Sequence, residues 1–434
     1  MSPDTPSDGG TSPDKDVRSD GGIRPDGDTR SETAPGGPVP LDRPAPLAGM
    51  RVVDLSKILA GPYTTMSLAD LGADVIKVEH PEGGDPTRQW GPPFNGPDAT
   101  YYLAANRNKR SVTLDLKSPQ GQEAVHRMLA DADVLVENFR PGSSLAEIFG
   151  YEQLSERYPR LVLLHISAFG ETGPLRDEPG YDMVAQAAAG LMSLTGEPDG
   201  PPVKAGYAMG DLGAALFGTI GLLAALVERE RTGRGQYVTT SLYESQLALH
   251  INWATGYFAT GERPARLGSG HPSLVPYQAY PASDGHFVIA VGNDGLWRRL
   301  CGVLGLAPLA EDPRFATNRA RVEHRDELNA ALEAVLREET VGHWCTTLKA
   351  AGVPATPIRS LDEVYDCPQT EALGIVATTD HPDAGPLSQV AFPASFRGRR
   401  PPVRSAPPTL GQHSAEVLAE LGYDEAEIAA LLGR

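Results

Sequence analysis

The sequence predicts an α/β protein, with a Rossmann-like large domain and a smaller α+β domain. Three observations carry this. Between residues 46 and 170, short apolar runs alternate with helical segments, the pattern of parallel strands joined by crossovers. Residues 181–260 then read as largely helical. From about residue 275 a strand pair with a tight turn opens a region of different character, and helices follow through 350.

Each element follows from local chemistry. MRVVDLS (residues 50–56) is a strand of the buried kind. AGPYTTMSLADLGAD is the next helix, with Pro62 near its start and Gly72 at its end. VIKVEH (75–80) is a second strand, which completes a βαβ unit. SVTLDLK (111–117) is a strand that places Lys117 at its end; Ser118 and Pro119 then give the cap and first-turn proline of the helix QGQEAVHRMLADA. DVLVENF (133–139) and RLVLLHIS (160–167) are further strands. No GxGxxG follows the first strand, so dinucleotide binding is not indicated. The helical region holds YDMVAQAAAGLMSLTG, LGAALFGTIGLLAALVERE (212–230) and SLYESQLALHINWATGYFAT, with RTGRGQYVTTS as a turn and short strand before the last. VPYQAYPASDGHFVIAVGND pairs two strands about Asp284-Gly285. After the proline-rich FPASFRGRRPPVRSAPP, Ser414 and Asp424 are expected to cap two short helices, Glu427 completing a capping box with Asp424. The expected layout is a large domain over 46–230, a linker and small domain over 231–350, and a return segment over 351–434 that rejoins the large domain.

Composition narrows the function classes. Fifty-six acidic residues against 38 basic ones give a net charge of −18, which disfavours a nucleic-acid or membrane-surface protein. An anionic ligand must therefore meet a local basic patch. Cys301, Cys345 and Cys367 are too scattered for a metal knuckle or redox pair, and fit a reducing cytoplasm and no metal. The longest apolar run, GTIGLLAALV, is too short to cross a bilayer. Residues 1–45 are Asp, Gly, Pro and Ser with almost nothing apolar, so a disordered acidic tail is expected. It has neither the apolar core of a signal peptide nor the basic character of a transit peptide.

Four features could carry chemistry. Asp211 is a lone carboxylate at the head of an apolar helix, where an N-cap and a functional group are both consistent readings. NRNKRS (106–111) holds Arg107, Lys109 and Arg110, either a solvated loop or a phosphate site. VENFRPG (136–142) follows a strand, where open α/β sheets place ligand loops, although Pro141-Gly142 also makes an ordinary turn. GSGHPSLVPYQ (268–278) is a glycine-rich connector or a flexible lid.

These stretches, taken in order, resemble the family III CoA-transferases. That CaiB/BaiF-like group includes formyl-CoA transferase, carnitine CoA-transferase and α-methylacyl-CoA racemase. The matching segments are LAGMRVVDLSKILAGPYTTMSLADLGADVIKVEHPEGGDPTR, NRNKRSVTLDLKSPQG, ADVLVENFRPG, GETGP, YDMVAQAAAGLMSLTG, GDLGAALFGTIGLLAALVERERTGRGQYV and GSGHPSLVPYQ. The resemblance implies an interlocked-ring homodimer, coenzyme A thioesters and carboxylic acids as substrates, and Asp211 as the nucleophile. It implies a covering loop at Gly268, Ser269 and Gly270. It implies CoA contacts from Lys57, Ile58, Leu59, Ala60, His80, Leu114, Lys117, Asn138 and Phe139, with Arg107, Lys109 and Arg110 available for phosphate. Small neighbours of Asp211 (Ala208, Gly210 and Gly213) would leave room for a thioester.

Departures from the family pattern refine the expectation. The histidine of the racemases' GHD step is Tyr181 here, in Gly180-Tyr181-Asp182, which argues against racemisation and leaves Asp182 as a helix cap. GNDGLW, with Asn293 and Asp294, reads as a transferase-like variant. Leu59 stands where formyl-CoA transferase has glutamine, which favours a larger or apolar acid over formate or oxalate. PGSSLAEIFG lacks the arginine that usually follows PG. A racemase or epimerase, and a silent CoA-binding homologue, are the alternative functions.

Overall fold

The structure, a computed structural model, describes residues 45–433. The expected tail lies outside the described residues, save for Ala45. The strand β1 (Arg51–Asp54), helix α1 (Ala60–Asp70) and strand β2 (Asp74–Glu79) form the first βαβ unit. A two-stranded ribbon of β3 (Phe94–Asn95) and β4 (Asp98–Ala99) and the short α2 (Thr100–Leu103) lead to β5 (Lys109–Thr113). Then come α3 (Pro119–Ala130), β6 (Val134–Glu137), α4 (Ser144–Ile148), α5 (Tyr151–Arg157) and β7 (Val162–Ser167). Three helices, α6 (Asp182–Ala188), α7 (Leu191–Leu194) and α8 (Met209–Thr232), precede β8 (Tyr237–Ser241).

These strands make a six-stranded, wholly parallel sheet in the order β5-β2-β1-β6-β7-β8. Helices cover both faces, which is why β6 and β7 are apolar or buried throughout rather than alternating. One core packs α1 and α8 against the sheet, through Leu68, Val136, Leu164 and Leu222. The other packs α3 on the opposite face, through Val125, Met128 and Leu163.

After α9 (Leu242–Leu249) and α10 (Ile251–Thr260), a smaller antiparallel sheet forms from β9 (Tyr277–Pro281), β10 (His286–Ala290) and β11 (Ala355–Pro357). It shares a third core, around Phe287, Trp297 and Leu332, with α11 (Asp294–Val303), α12 (Ala307–Glu311), α13 (Asn318–Glu323), α14 (Arg325–Leu336) and α15 (Val341–Ala350). Two short helices, α16 (Leu361–Tyr365) and α17 (Pro368–Leu373), and the hairpin of β12 (Val376–His381) and β13 (Gly385–Val390) carry the chain onward. The last helices are α18 (Ser414–Glu420) and α19 (Glu425–Leu431); Val417 and Leu418 of α18 join the core beneath α3.

Several elements differ from their sequence expectations. The strand expected over 111–117 ends at Thr113, because Asp115 turns the chain by accepting the Ser118 N–H on its carbonyl at 3.0 Å and the Lys117 N–H on its side chain at 2.9 Å. Gly190, at φ +90°, divides α6 from α7. Ser414 is not a cap: it is the first residue of α18, and its hydroxyl accepts the Thr113 N–H at 3.1 Å. Asp424 and Glu427 do form a capping box. The helix α8 runs 24 residues and is long and apolar enough to cross a membrane by composition, against the shorter run read from the sequence. Here it is the central helix of the fold, packed on α1, α9, β7 and β8.

Candidate active site

The strand order reverses between β1 and β6, since the chain runs outward to β2 and β5 and then back to β6, β7 and β8. Loops leaving the carboxyl ends of strands on either side of such a switch point diverge and open a crevice. A cleft of about 280 Å³ lies there. The loop after β1 supplies Ile58 and Ala60, the loop after β6 supplies Asn138, Phe139, Arg140 and Pro141, and Asp211 of α8 lies in the wall. Thus five sequence-predicted residues, Ile58, Ala60, Asn138, Phe139 and Asp211, meet in one cleft.

Asp211 is the third residue of α8, and its side chain makes no capping bond. The cap comes from another helix. Asp182 Oδ1 accepts the N–H of Gly210 at 2.7 Å and of Asp211 at 3.4 Å. Gln186 steadies Asp182 by donating to its Oδ2 at 2.6 Å. The cap expected of Asp182 is therefore real, but it serves α8, while Tyr181 holds the N-cap position of its own helix. Burial, with the Asp182 charge beside it, pushes the Asp211 carboxyl up to about 7, and the backbone of Ala60 across the cleft opposes the rise.

An aromatic group next to the cleft was missed by sequence reasoning. Tyr101 is pushed up to about 12 by burial and by the charges of Asp211 and Asp182, which places its phenol near both. Trp90 packs edge-on to Tyr101 at 5.4 Å and to Tyr181 at 6.1 Å. The available signal was the stretch from His80 to Asn108, long and rich in Gly, Pro and aromatics between two strands; loops of that length are often functional.

The loop after β1 is strained. Ile58 has φ +75°, a conformation that costs a β-branched residue about 1–3 kcal/mol. Lys57 is tied on both sides by the Asn138 amide: its N–H donates to Oδ1 at 2.9 Å, and its carbonyl accepts from Nδ2 at 2.8 Å. Behind it, Asp54 is held down to about 2; burial would raise it, but Lys109, Lys77 and hydroxyl donors outweigh that.

The basic cluster has a structural use, which corrects the phosphate expectation. Arg107 forks onto Asp70, with contacts of 3.0 and 2.6 Å. Lys109 is fully buried on Asp54 at 3.1 Å, and burial lowers it to about 8. Arg110 bonds Asp74 at 2.6 Å and reaches Glu416 and Glu420. A guanidinium or ammonium so engaged is not free for a ligand. Other expected contacts lie elsewhere too. His80 bonds the Glu82 N–H at 3.1 Å, Leu114 is buried in the core beneath α3, and Lys117 sits in an exposed turn. Lys57 and Leu59 flank Ile58 without lining the cleft.

The glycine loop is not at the cleft either. Gly268 donates to the Gly196 carbonyl at 3.0 Å, and the Ser269 hydroxyl accepts the Ala279 N–H at 3.0 Å. Gly270 closes a turn onto the Leu267 carbonyl at 2.8 Å. The small residues beside Asp211 have a packing reason instead of the expected one. A Cβ on Gly210 would come within 2.8 Å of the Gln246 amide, and one on Gly213 within 3.1 Å of the Ser245 hydroxyl, so both glycines seat α9 against α8.

A buried carboxylate in the crevice at a parallel-sheet switch point is a candidate nucleophile for acyl-group chemistry. Residues 47–414 match the sequence profile of CoA-transferase family III. The chain is 41% identical to a succinate–glutarate CoA-transferase of Agrobacterium fabrum, over 88% of this chain and 96% of the relative. It is 39% identical to the human succinyl-CoA:glutarate CoA-transferase, over 89% of each. A solved CaiB/BaiF family protein from Brucella suis superposes with a TM-score of 0.78 at 41% identity, covering 87% of this chain and all of that one. The chain belongs to CoA-transferase family III, and it is an enzyme of that class.

Proposed function

We propose that the enzyme moves CoA from an acyl-CoA donor to a short dicarboxylic acid, with Asp211 as the covalent nucleophile. The observation that carries this is the placement of Asp211, buried in the switch-point cleft opposite Ala60 at the start of α1. One Asp211 oxygen attacks the thioester carbonyl, the C–S bond breaks, and a mixed anhydride and CoA thiolate result. The thiolate attacks the aspartyl carbonyl, the anhydride C–O bond breaks, and the donor acid leaves as its carboxylate. The acceptor carboxylate then attacks the aspartyl thioester and expels the thiolate. That thiolate attacks the acceptor's carbonyl in the second anhydride, which forms the new acyl-CoA and frees Asp211.

The dicarboxylic class is inferred from the relatives, whose names specify succinate or succinyl-CoA and glutarate. Of the two options expected from Leu59, a larger or an apolar acid, it takes the larger. Arg140 and Arg176 on the cleft wall are the cations that meet anionic groups there. The working unit is an interlocked homodimer, in the cytoplasm. Exposed Leu216, Ile220 and Val227 on α8 and Phe258 on α10 support the pairing.

The test is intact-mass analysis after incubation with succinyl-CoA and other acyl-CoAs, trapping with hydroxylamine, on wild type and Asp211→Ala. An adduct that maps to Asp211 and disappears in the variant supports the covalent route. Exchange of the α-proton with deuterated water, without labelling, would instead support an epimerase. CoA binding with neither would support a silent homologue.

A further inference from the structure

The left-handed Ile58 is held by a carboxylate outside the cleft. Its N–H points at both oxygens of Asp85, at 3.3 and 3.2 Å. Asp85 is itself fixed on every side. It accepts the N–H and the hydroxyl of Thr87 at 2.9 and 2.7 Å, and its own N–H donates to Glu79 at 3.0 Å. Lys77 pairs with it at 3.0 Å and also donates to the Ser56 carbonyl at 2.9 Å, so one ammonium ties Asp85 to the start of the same loop. Both side chains are buried, at 0% and 1% exposure. A buried ion pair adds little to stability over an apolar pair of similar shape, so the loop geometry is the better account of its use.

We propose that Asp85, braced by Lys77, is a positioning residue for the reaction. By holding Ile58 at positive φ it sets where α1 begins, and so fixes Ile58 and Ala60 in the wall of the cleft that holds Asp211. The inference rests on Asp211 being the nucleophile. A peptide plane turned away at Ile58 would move that wall, and the backbone at the start of α1, away from the Asp211 carboxylate.

The experiment follows single-turnover labelling of Asp211 by succinyl-CoA across pH, with thermal melting alongside. The variants are Asp85→Ala, Asp85→Asn and Asp70→Asn. Asp70 is a control: it carries a buried pair with Arg107 at 2.6 Å, at the far end of α1. Asp85→Ala is expected to slow labelling about 10- to 100-fold, with kcat falling more than KM rises. It should also move the pH midpoint of labelling upward, because the Ala60 backbone that lowers the Asp211 carboxyl moves away. Asp85→Asn keeps an acceptor oxygen and should recover most of the rate. Asp70→Asn should lower Tm and leave the midpoint in place. Glycine adopts φ +75° freely, so Ile58→Gly should recover more of the Tm lost in Asp85→Ala than additivity allows. Unchanged rate and midpoint in Asp85→Ala, or losses in Asp85→Ala and Asp70→Asn that track Tm alone, would overturn the assignment. Absence of labelling in the wild type would overturn it together with the nucleophile.

Discussion

Asp211 is the residue on which activity and stability pull apart. Its carboxyl is raised from 3.8 to about 7, chiefly by burial and then by Asp182. A group raised in the folded state contributes its full stabilisation below its unfolded pKa, and that contribution is lost as pH rises through the folded one. Asp211→Asn should therefore be more stable than wild type at pH 8, by on the order of 3 kcal/mol, with the gain fading towards pH 4. Urea melts at the two pH values check this; an equal difference at both would show that Asp211 ionises as readily in the fold as in the unfolded chain. The nucleophile must be ionised, so kcat/KM of the wild type should climb with pH through an inflection near 7. A flat profile from pH 5.5 to 8.5 would place the ionisation elsewhere. At this scale Asp211 stood out as a lone charge at the head of an apolar helix, where a cap fitted the local stretch as well; its role as nucleophile came from the resemblance to the family III CoA-transferases. Tyr101 and Trp90 were not legible, because only the folded loop between β2 and β5 brings them beside it.

At the scale of elements, the site is the meeting of two helix starts. Ala60 opens α1 and lines the same cleft as Asp211 near the start of α8, while Asp182 from α6 caps α8. Asp182→Ala should therefore have two separable effects. Loss of the cap should cost about 1–2 kcal/mol in a urea melt. Loss of the neighbouring charge should move the acid limb of the pH–rate profile downward, since that charge helps to raise Asp211. A melt that weakens with no movement of the limb would leave Asp182 as a cap only. The strands of the large sheet were readable because strands buried on both faces are continuous apolar runs with turn signals between them. The basic run at 106–111 misled for a physical reason. In a chain rich in acid, Arg107 and Lys109 each find a buried carboxylate and Arg110 finds one nearer the surface, and a linear sequence does not show which charges will pair. Likewise the glycines beside Asp211 read as space for substrate, yet they admit α9.

At the scale of the molecule, α8 carries Asp211 at one end and an uncovered apolar face along its length. A helix apolar on all sides belongs inside a protein, and one face of α8 is satisfied by the sheet, α1 and α9. Its other face leaves Leu216 at 56%, Ile220 at 62% and Val227 at 65% exposure, and Phe258 of α10 at 81%. The expected glycine loop meanwhile packs on the 196–203 turn and β9, away from Asp211 of its own chain. A second copy would cover the apolar face. Paired Ile220→Glu and Phe258→Glu substitutions should then shift the sedimenting species from dimer to monomer and abolish CoA transfer, even though neither residue lines the cleft. An active wild-type monomer at micromolar concentration would sink this reading. So would a double variant that sediments and turns over as the wild type does, because charges placed in a true apolar interface cannot be tolerated without separating the subunits.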